Sequence, residues 1–462
     1  MLIENALATY YGDIQHALRD LFATTPETTP DTGGATTPDT GGDFTPGTEL
    51  PHLSAAMRDF LAPSGLAHAP MGHYAGKQLA LLDLTRNPAT GTTKTYPSLV
   101  IVARAIRFIQ DTGQRVTIVT PSSANKAIAL RDAVLRAITC GLVGADQLNV
   151  ITVVPAASVP KLRSSELFTD PALRARNPIA VHHGPTPGAV KTIARALVDD
   201  HRTPIEQATK TNLWYTLQLE NYLAADTVRA LAEHQHFPPA PDRPRLHVHA
   251  VSSAYGLLGH AYGRTLLDPT ARAATPEPHY LLVQHLGAPD MVLSLYHHGV
   301  VDPAHAPAYT RDPATGLYTQ HTDPHFPTHT FDPHEDLDPT FYTRNPPTSA
   351  RMNHLIHTQG GGGIVVSLAE CLQRYAQARD LLARAAIDLP ANPTAVREWS
   401  LVMAVVGLLN AVDRGLVPED DILIHASGHY HADQVGQLSA RDLHDTPDTE
   451  ALRRLVLGAC AQ

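Results

Sequence analysis

Short apolar runs alternate with segments of helical period along most of this chain, and this alternation constrains the fold more than any other feature. The runs are continuously apolar, which is typical of strands buried on both faces of a parallel sheet. We predict strands at residues 79–84, 116–120, 150–154, 178–181, 246–251, 280–284, 364–366 and 422–425. We predict helices at residues 98–110, 127–140, 188–198, 225–233, 257–267 and 404–414. The pattern indicates an α/β fold with mainly parallel sheets flanked by helices.

Three segments lie outside this alternation. Residues 1–22 carry a helical apolar stripe and predict one amphipathic helix. Residues 24–48, in which TTPDTGG occurs twice, have too little apolar surface to order themselves and predict a flexible low-complexity linker. Residues 302–349 are rich in His, Pro, Asp and Thr and predict a long irregular insertion.

Charge and cysteine content exclude several classes of protein. The chain has 462 residues, with 35 basic against 45 acidic residues and a net charge of −10, which argues against binding to nucleic acid or an anionic membrane. No run approaches the ~20 apolar residues that span a bilayer, and residues 1–22 lack the order of a signal peptide. The three widely spaced cysteines fit a reducing compartment. We therefore expect a cytoplasmic protein.

Lysine is scarce, so each lysine within a motif needs an explanation. Lys94 is one of six lysines in 462 residues, and it ends the Gly/Thr-rich turn 87–94 just before a predicted helix. Burial and the positive end of a helix dipole both favour a neutral, nucleophilic amine, which suits Schiff-base chemistry. Taken alone, a lysine at a helix start is more often a solvated surface residue.

Three further strand-to-helix or strand-to-loop turns carry polar groups. Residues 122–126 (Ser-Ser-Ala-Asn-Lys) follow a predicted strand and suit a carboxylate or phenolic oxygen, although Ser and Asn are also ordinary helix caps. Residues 252–256 (Ser-Ser-Ala-Tyr-Gly) open a helix, as in loops that bind phosphate through backbone amides. Ser427 follows the last predicted strand, and its hydroxyl can hydrogen-bond a heterocyclic nitrogen.

These four elements, in this order, resemble the fold type II pyridoxal-phosphate (PLP) enzymes of the tryptophan synthase β-like superfamily, most closely threonine synthase-like members. Residues 87–94 resemble the Asn-Pro-Thr-Gly-Ser-Phe-Lys motif with one extra residue. Residues 123–125 resemble the Ser-Gly-Asn turn, residues 252–256 the phosphate-binding glycine loop, and residues 427–428 the late Ser/Thr-Gly segment. The resemblance covers about residues 75–300 and 360–435.

The resemblance implies the cofactor, the chemistry and the residues that serve them. It implies pyridoxal 5'-phosphate, held as a Schiff base by Lys94, and elimination or replacement at the β or γ carbon of an amino-acid substrate. Other implied cofactor contacts are Asn125 at the ring hydroxyl, Ser427 at the pyridine nitrogen, and Ser252, Ser253, Ala254, Tyr255 and Gly256 at the phosphate. The implied contacts with the substrate carboxylate are Ser122, Ser123 and Ala124.

The resemblance also implies an organisation in two domains and a homodimer. After residues 1–50, which hold the N-terminal helix and linker, a large PLP-binding domain comprises residues 51–95 and 215–462 and includes the 302–349 insertion. A small domain, residues 96–214, carries the asparagine turn.

Departures from the family pattern keep a second interpretation open. Thr95 stands where the family has a carboxylate, Ala124 stands in place of a glycine, and the 252–256 loop keeps one glycine. The substrate therefore cannot be transferred from threonine synthase. The alternative is a catalytically degenerate protein of the same fold that serves as a binding protein or scaffold.

The 27 histidines raise the question of a metal site. His247 and His249 point to the same side of a predicted strand and could bind a metal together. However, the sequence has no HExxH and no paired CxxC spacing. We therefore predict no metal and interpret the histidines as solvated or hydrogen-bonded, with a metal-dependent hydrolase as a third interpretation.

Overall fold

The structure, a computed structural model, describes residues 1–24, 44–338, 343–436 and 438–462. The strands within these residues are β1 (Leu2–Ile3), β2 (Leu66–Tyr74), β3 (Lys77–Asp83), β4 (Arg115–Pro121), β5 (Leu148–Pro155), β6 (Ile179–His182), β7 (Thr211–Tyr215), β8 (Arg245–Ala250), β9 (His279–His285), β10 (Thr310–Arg311), β11 (Tyr318–Thr319), β12 (His329–Thr330), β13 (Gly361–Val366), β14 (Asp421–Ala426) and β15 (His444–Asp445).

The α-helices within the same residues are α1 (Ala6–Thr9), α2 (Tyr11–Thr24), α3 (Ala55–Leu61), α4 (Thr95–Thr112), α5 (Asn125–Thr139), α6 (Glu166–Thr169), α7 (Pro171–Arg176), α8 (Ala189–Thr209), α9 (Leu219–Asp226), α10 (Val228–His236), α11 (Tyr255–Thr265), α12 (Pro269–Ala273), α13 (Asp290–Tyr296), α14 (Ser349–Gln359), α15 (Leu368–Gln373), α16 (Tyr375–Arg384), α17 (Ser400–Asp413) and α18 (Thr449–Cys460). None of these helices is both long enough and apolar enough to span a membrane.

The first compact unit comprises residues 1–3, 65–86 and 226–432. Its main sheet has the strand order β1-β2-β3-β14-β8-β9-β13. The strands from β3 to β13 pair in parallel, whereas β1 and β2 are added in antiparallel orientation. Helix α17 is apolar over most of its length and packs on β8, β9, β13 and β14. This packing forms the core of the unit. The parallel pairing of β8 with β14 places their carboxyl ends side by side.

The second compact unit comprises residues 4–64, 87–225 and 433–462. Its sheet has the order β15-β6-β5-β4-β7, and every pairing in it is parallel. All residues of β5 are buried, as the continuous apolar runs predict. Helices α4 and α5, which the two turns open, pack against each other.

All eight predicted strands are confirmed, and the α/β class with them. The sequence pattern did not reveal β2 and β7. Strand β2 carries His68, Pro70 and His73 among its apolar residues, which interrupts an apolar run. The predicted helix 225–233 is wrong at its start, because α9 ends at Asp226 and α10 begins at Val228.

The prediction of one helix over residues 1–22 is also wrong. Residues Leu2–Ile3 instead pair with β2, and the helical segment is divided at Tyr10 into α1 and α2. Residues 25–43 of the predicted linker lie outside the described residues. Its last residues are ordered by contacts, because Arg104 donates hydrogen bonds to Thr45 Oγ1 at 2.8 Å and to the Gly47 carbonyl at 2.6 Å. Flexibility of the linker stays a prediction.

The 302–349 insertion contains more regular structure than its composition indicated. Strands β10, β11 and β12 form a small antiparallel sheet. The buried Gln320 amide donates hydrogen bonds to the carbonyls of Phe326 and Pro327, at 3.1 and 2.9 Å. These bonds hold together the loop between β11 and β12. The predicted domain bounds stay a prediction, since compact units defined by contacts need not coincide with domains.

Candidate functional site

The predicted site residues fall into two sets. Lys94 and the 122–125 turn lie in the second unit, and the 252–256 loop and Ser427 lie in the first. In the first unit, Ser427 contacts the end of the strand that leads into the 252–256 loop. In the second unit, the helices that follow Lys94 and the 122–125 turn pack against each other.

The turn that precedes Lys94 is built around Asn87. The Asn87 side chain accepts a hydrogen bond from the Ala89 N–H at 3.1 Å and donates one to Asp132 Oδ2 at 2.8 Å. The backbone carbonyl of Asn87 accepts a hydrogen bond from the Gly91 N–H at 2.8 Å. Gly91 itself has a φ of 61°. Glycine adopts this left-handed conformation without strain. The turn thus fixes the direction in which Lys94, the N-cap residue of α4, leaves it.

Thr95 replaces the carboxylate that the family has after the lysine, and the structure shows what takes its place. The Thr95 hydroxyl is buried and lies 2.7 Å from Thr90 Oγ1. A pair of hydroxyls therefore satisfies both polar groups, and no buried charge requires a partner. The departure is compatible with an intact turn.

The 122–125 turn opens α5 in the manner of a helix cap. Ser122 Oγ accepts hydrogen bonds from the N–H groups of Ala124 and Ala127, at 3.2 and 2.9 Å. The capping interpretation left open by the sequence therefore describes the Ser122 side chain. Ser123 and Asn125, by contrast, are only half-buried.

Ala124 has a backbone conformation that belongs to glycine. Its φ is 112° and its ψ is −59°, and its side chain is completely buried. Residues with a Cβ are strained in this region, and such strain is characteristic of functional turns. Alanine thus holds, at this position, a backbone conformation that glycine adopts with less strain.

Tyr222 is a residue of this site that the sequence reasoning missed. Its ring lies 5.0 Å from Lys94 Nζ and 5.7 Å from Lys126 Nζ, measured to the ring centroid. Tyr222 and Lys126 are buried and Lys94 is half-buried. Two of the six lysines therefore approach one aromatic ring within cation–π range. No sequence signal marked Tyr222, because it comes from α9, far from both motifs.

In the first unit, the 252–256 loop connects β8 to the start of α11. Ala254 has φ of 52° and ψ of 23°, a second alanine in a left-handed conformation. The Ser253 carbonyl accepts a hydrogen bond from Thr348 Oγ1 at 2.8 Å, which holds the loop from the side. The first backbone N–H groups of α11 follow directly, and such groups attract anions.

Ser427 lies beside this loop. It follows β14, which is the parallel neighbour of β8, and Ser427 Oγ donates a hydrogen bond to the Ala250 carbonyl at 3.2 Å. The two predicted cofactor contacts of this unit therefore lie at the same edge of the sheet, as the strand order requires.

A chain of buried hydrogen bonds lies beneath that edge. Arg229 Nη1 donates to His425 Nδ1 at 2.9 Å, and His425 Nε2 lies 2.9 Å from His247 Nδ1. Because a guanidinium can only donate, His425 must carry its proton on Nε2 and donate to His247. His247 then carries its proton on Nε2, which lies 3.7 Å from Glu233 Oε1.

Glu233 receives hydrogen bonds from two further residues. His260 Nε2 lies 2.7 Å from Glu233 Oε2, and Arg245 Nη1 donates to Glu233 Oε1 at 2.7 Å. His260 Nδ1 in turn lies 3.0 Å from the Tyr280 hydroxyl. The carboxylate is thus the acceptor at which this buried network converges.

The charges of the network follow from its burial. Burial holds the pKa of His247 and His425 well below the ordinary histidine value, so both are neutral. Burial alone would raise the pKa of Glu233, but the nearby histidines and Arg245 lower it, so the carboxylate is ionised.

Glu233, His247 and His260 also form a group, among the described residues, whose donor atoms lie close enough together to hold a metal ion. The hydrogen-bond directions argue against that use. The proton assigned to His247 Nε2 blocks the ligand atom, and Arg245 already places a positive charge on Glu233. The absence of a metal stays a prediction, and His249 is not part of the group.

Comparison with solved structures identifies the class of fold. The chain has the fold of threonine synthase and related fold type II PLP enzymes. It matches PLP-bound threonine synthase from Brucella melitensis with a TM-score of 0.50 and 10% sequence identity, covering 86% of this chain and 81% of that chain. Threonine synthase from Escherichia coli gives a TM-score of 0.48 and 16% identity, covering 82% and 78%. Threonine synthase from yeast gives a TM-score of 0.47 and 12% identity, covering 80% of this chain and 71% of that chain.

The sequence comparison identifies the family. Residues 2–460 match the family of unknown function DUF6002, and the chain belongs to that family. No curated protein matches the sequence. At 10% identity, the likeness to the Brucella melitensis enzyme establishes the fold alone.

Proposed function

We propose that this protein is a PLP-dependent enzyme that catalyses elimination or replacement at the β or γ carbon of an amino acid. The observation that carries the proposal is the position of Lys94. In a chain of this fold, it follows a hydrogen-bonded turn at the start of α4, and α4 packs on the helix opened by the Asn125 turn. A cytoplasmic location and a homodimer complete the proposal.

The residues present fit the cofactor. Ala254 and the first turn of α11 shape a loop whose backbone N–H groups suit a phosphate, and Ser427 lies at the same sheet edge. We assign the phosphate to Ser252, Ser253, Ala254, Tyr255 and Gly256, the ring hydroxyl to Asn125, and the ring nitrogen to Ser427. PLP, when bound, supplies an electron-withdrawing ring that stabilises negative charge at the substrate Cα.

The side chains of the second unit supply the groups that bind the substrate and transfer its proton. Lys94 would hold the cofactor covalently and take up the proton that leaves the substrate Cα. Tyr222 would orient the Lys94 side chain through its ring face once the amine has taken up the proton. The substrate carboxylate would bind at the start of α5, where Ser123 is accessible and Ser122 keeps the turn in shape.

Ser427 bears on the type of reaction. Its hydroxyl is neutral, and its single proton, donated here to the Ala250 carbonyl, would turn to the ring nitrogen when the cofactor binds. A neutral partner does not hold a ring nitrogen protonated as a carboxylate would, so the ring would be a weaker electron sink. This supports elimination or replacement at Cβ or Cγ.

The experiment that tests the proposed function is exchange of the substrate α-proton. The protein, loaded with PLP, is incubated in D₂O with each common amino acid and with O-phosphorylated and O-acetylated hydroxyamino acids. We expect loss of the α-proton NMR signal for at least one compound, and no loss with Lys94→Ala. No exchange with any compound, although PLP is bound tightly, would favour the alternative of a degenerate binding or scaffold protein. The alanines at positions 124 and 254 are the observation that favours that alternative.

A further inference from the structure

Helices α10 and α11 of the first unit approach each other closely. A Cβ on Gly259 would lie 2.3 Å from Asp226 Cβ, and a Cβ on Gly263 would lie 2.7 Å from the Thr227 carbonyl oxygen. Only glycine fits at such distances. The three-residue and four-residue spacing of Gly256, Gly259 and Gly263 therefore gives α11 a smooth face against which the start of α10 lies.

This close approach places Arg229 under the first turn of α11. Arg229 has no exposed surface, and its Nε donates to Asp226 Oδ1 at 2.7 Å. A Cβ on Gly256 would lie 3.1 Å from Arg229 Nη2 and 2.7 Å from His249 Cε1. The Arg229 guanidinium thus lies close to Gly256, the last residue of the 252–256 loop.

Arg229 also reaches the strand that carries Ser427. Its Nη1 donates to His425, two residues before Ser427 on the same chain segment. One rigid side chain therefore spans from the loop assigned to the phosphate to the strand assigned to the ring nitrogen. An arginine can do this because its planar fork makes several directed hydrogen bonds at once, whereas a lysine cannot.

We propose that Arg229 is a positioning residue for a phosphate monoester bound at the 252–256 loop. It supports the loop from below and fixes its distance from β14. The proposal rests on the proposed function, because it takes the phosphate of PLP as the ligand. Asp226 forms an ion pair with Arg229 and weakens the field of its charge at the loop. Arg229 therefore acts on the phosphate in two ways, through the shape that it gives the loop and through the part of its charge that still reaches the loop.

The test compares two ligands that differ only in the phosphate. Dissociation constants for pyridoxal phosphate and for pyridoxal are measured by absorbance titration of wild type, Arg229→Met and Arg245→Met. Arg245 is the matched control, because it is a buried arginine of the same unit that pairs with Glu233 and Asp421 and lies outside the loop. We expect the preference for pyridoxal phosphate over pyridoxal to fall about tenfold in Arg229→Met, because the variant removes a cation close to the loop whose field acts on the phosphate, and to stay unchanged in Arg245→Met.

A merely structural role would lower both affinities together and leave their ratio unchanged. An unchanged ratio in Arg229→Met, or an equal fall in Arg245→Met, would overturn the proposal. If Arg229→Met does not fold, the same titrations are made with Arg229→Lys, which keeps the charge but cannot reach both Asp226 and His425. The ratio of the two affinities is then expected to fall as well, and an unchanged ratio would overturn the proposal. Wild-type protein that binds neither compound would instead refute the proposed function itself.

Discussion

At the scale of single residues, each of the two sets of predicted site residues contains a strained backbone position. Ala124 and Ala254 both hold conformations that glycine adopts readily, and each opens the helix next to a predicted ligand contact. Lys94 and Lys126 share the ring of Tyr222. The sequence could predict Lys94, Asn125 and the 252–256 loop because each follows a recognisable turn. It could not predict Tyr222 or Arg229, because tertiary packing alone brings α9 and α10 to these positions.

Glycine at position 124 should stabilise the protein. Ala124→Gly removes the strain of a φ of 112°, and we expect the free energy of unfolding to rise by about 1 kcal/mol. Ala127→Gly, three residues further on in a regular helical position of α5, should lower it by about 1 kcal/mol. Chemical denaturation of the Trp399→Phe protein follows the second unit through Trp214. A lower stability for Ala124→Gly would show that the turn is not strained.

At the scale of elements, the contact between α10 and α11 and the buried network beneath β8 and β14 organise the first unit. The sequence predicted the strands, because continuous apolar runs mark buried parallel strands. It noted His247 and His249 without finding their partners. Glu233, His260 and Arg229 come from α10 and α11, and their positions depend on glycine spacing that has meaning only once the two helices are paired.

A side chain on the glycine face of α11 should destabilise the first unit. Gly259→Ala forces its Cβ against Asp226, and we expect the free energy of unfolding to fall by about 2 kcal/mol. Trp399 fluorescence in a Trp214→Phe background reports on this unit. The control is Gly458→Ala in α18, where no atom lies within 4 Å of the added Cβ. That change, followed through Trp214, should raise stability by up to about 1 kcal/mol.

The buried histidines should make the first unit sensitive to acid. The folded-state pKa of His425 lies well below 6.5, so the unfolded chain binds its proton more readily. The free energy of unfolding should therefore fall as pH drops below about 6.5, by up to about 1.4 kcal/mol per pH unit for each such histidine. The pKa of Glu233 is lowered in the folded state, so the stability that this carboxylate contributes is lost only below about pH 4.5.

Comparison of His425→Gln with wild type between pH 5 and 7.5 isolates the histidine contribution. Glutamine can accept from Arg229 and donate to His247 but does not titrate. We expect the free energy of unfolding of His425→Gln to fall less steeply as the pH drops. The difference in slope should correspond to about one proton fewer taken up on unfolding. The exposed His234→Gln variant should keep the wild-type slope. Equal slopes for all three proteins would mean that His425 titrates normally in the folded state.

At the scale of the whole molecule, the order of motifs along the chain carried more information than any motif alone. The four turns predicted the fold because each follows a strand or opens a helix, and the fold of threonine synthase confirms that interpretation. The N-terminal strand β1 and the small sheet of the insertion were missed. Two-residue strands leave no periodic signal, and the partner of β1 lies more than 60 residues away in sequence.

The central claim is that Lys94 binds PLP covalently. The most direct test treats the PLP-loaded protein with borohydride, digests it and locates the modified lysine by mass spectrometry. We predict the cofactor mass on the Lys94 peptide in wild type and in Lys126→Ala, where the second lysine near Tyr222 is removed, and no modification in Lys94→Ala. Modification of Lys126 or another lysine, or no trapped cofactor in wild type, would contradict the account.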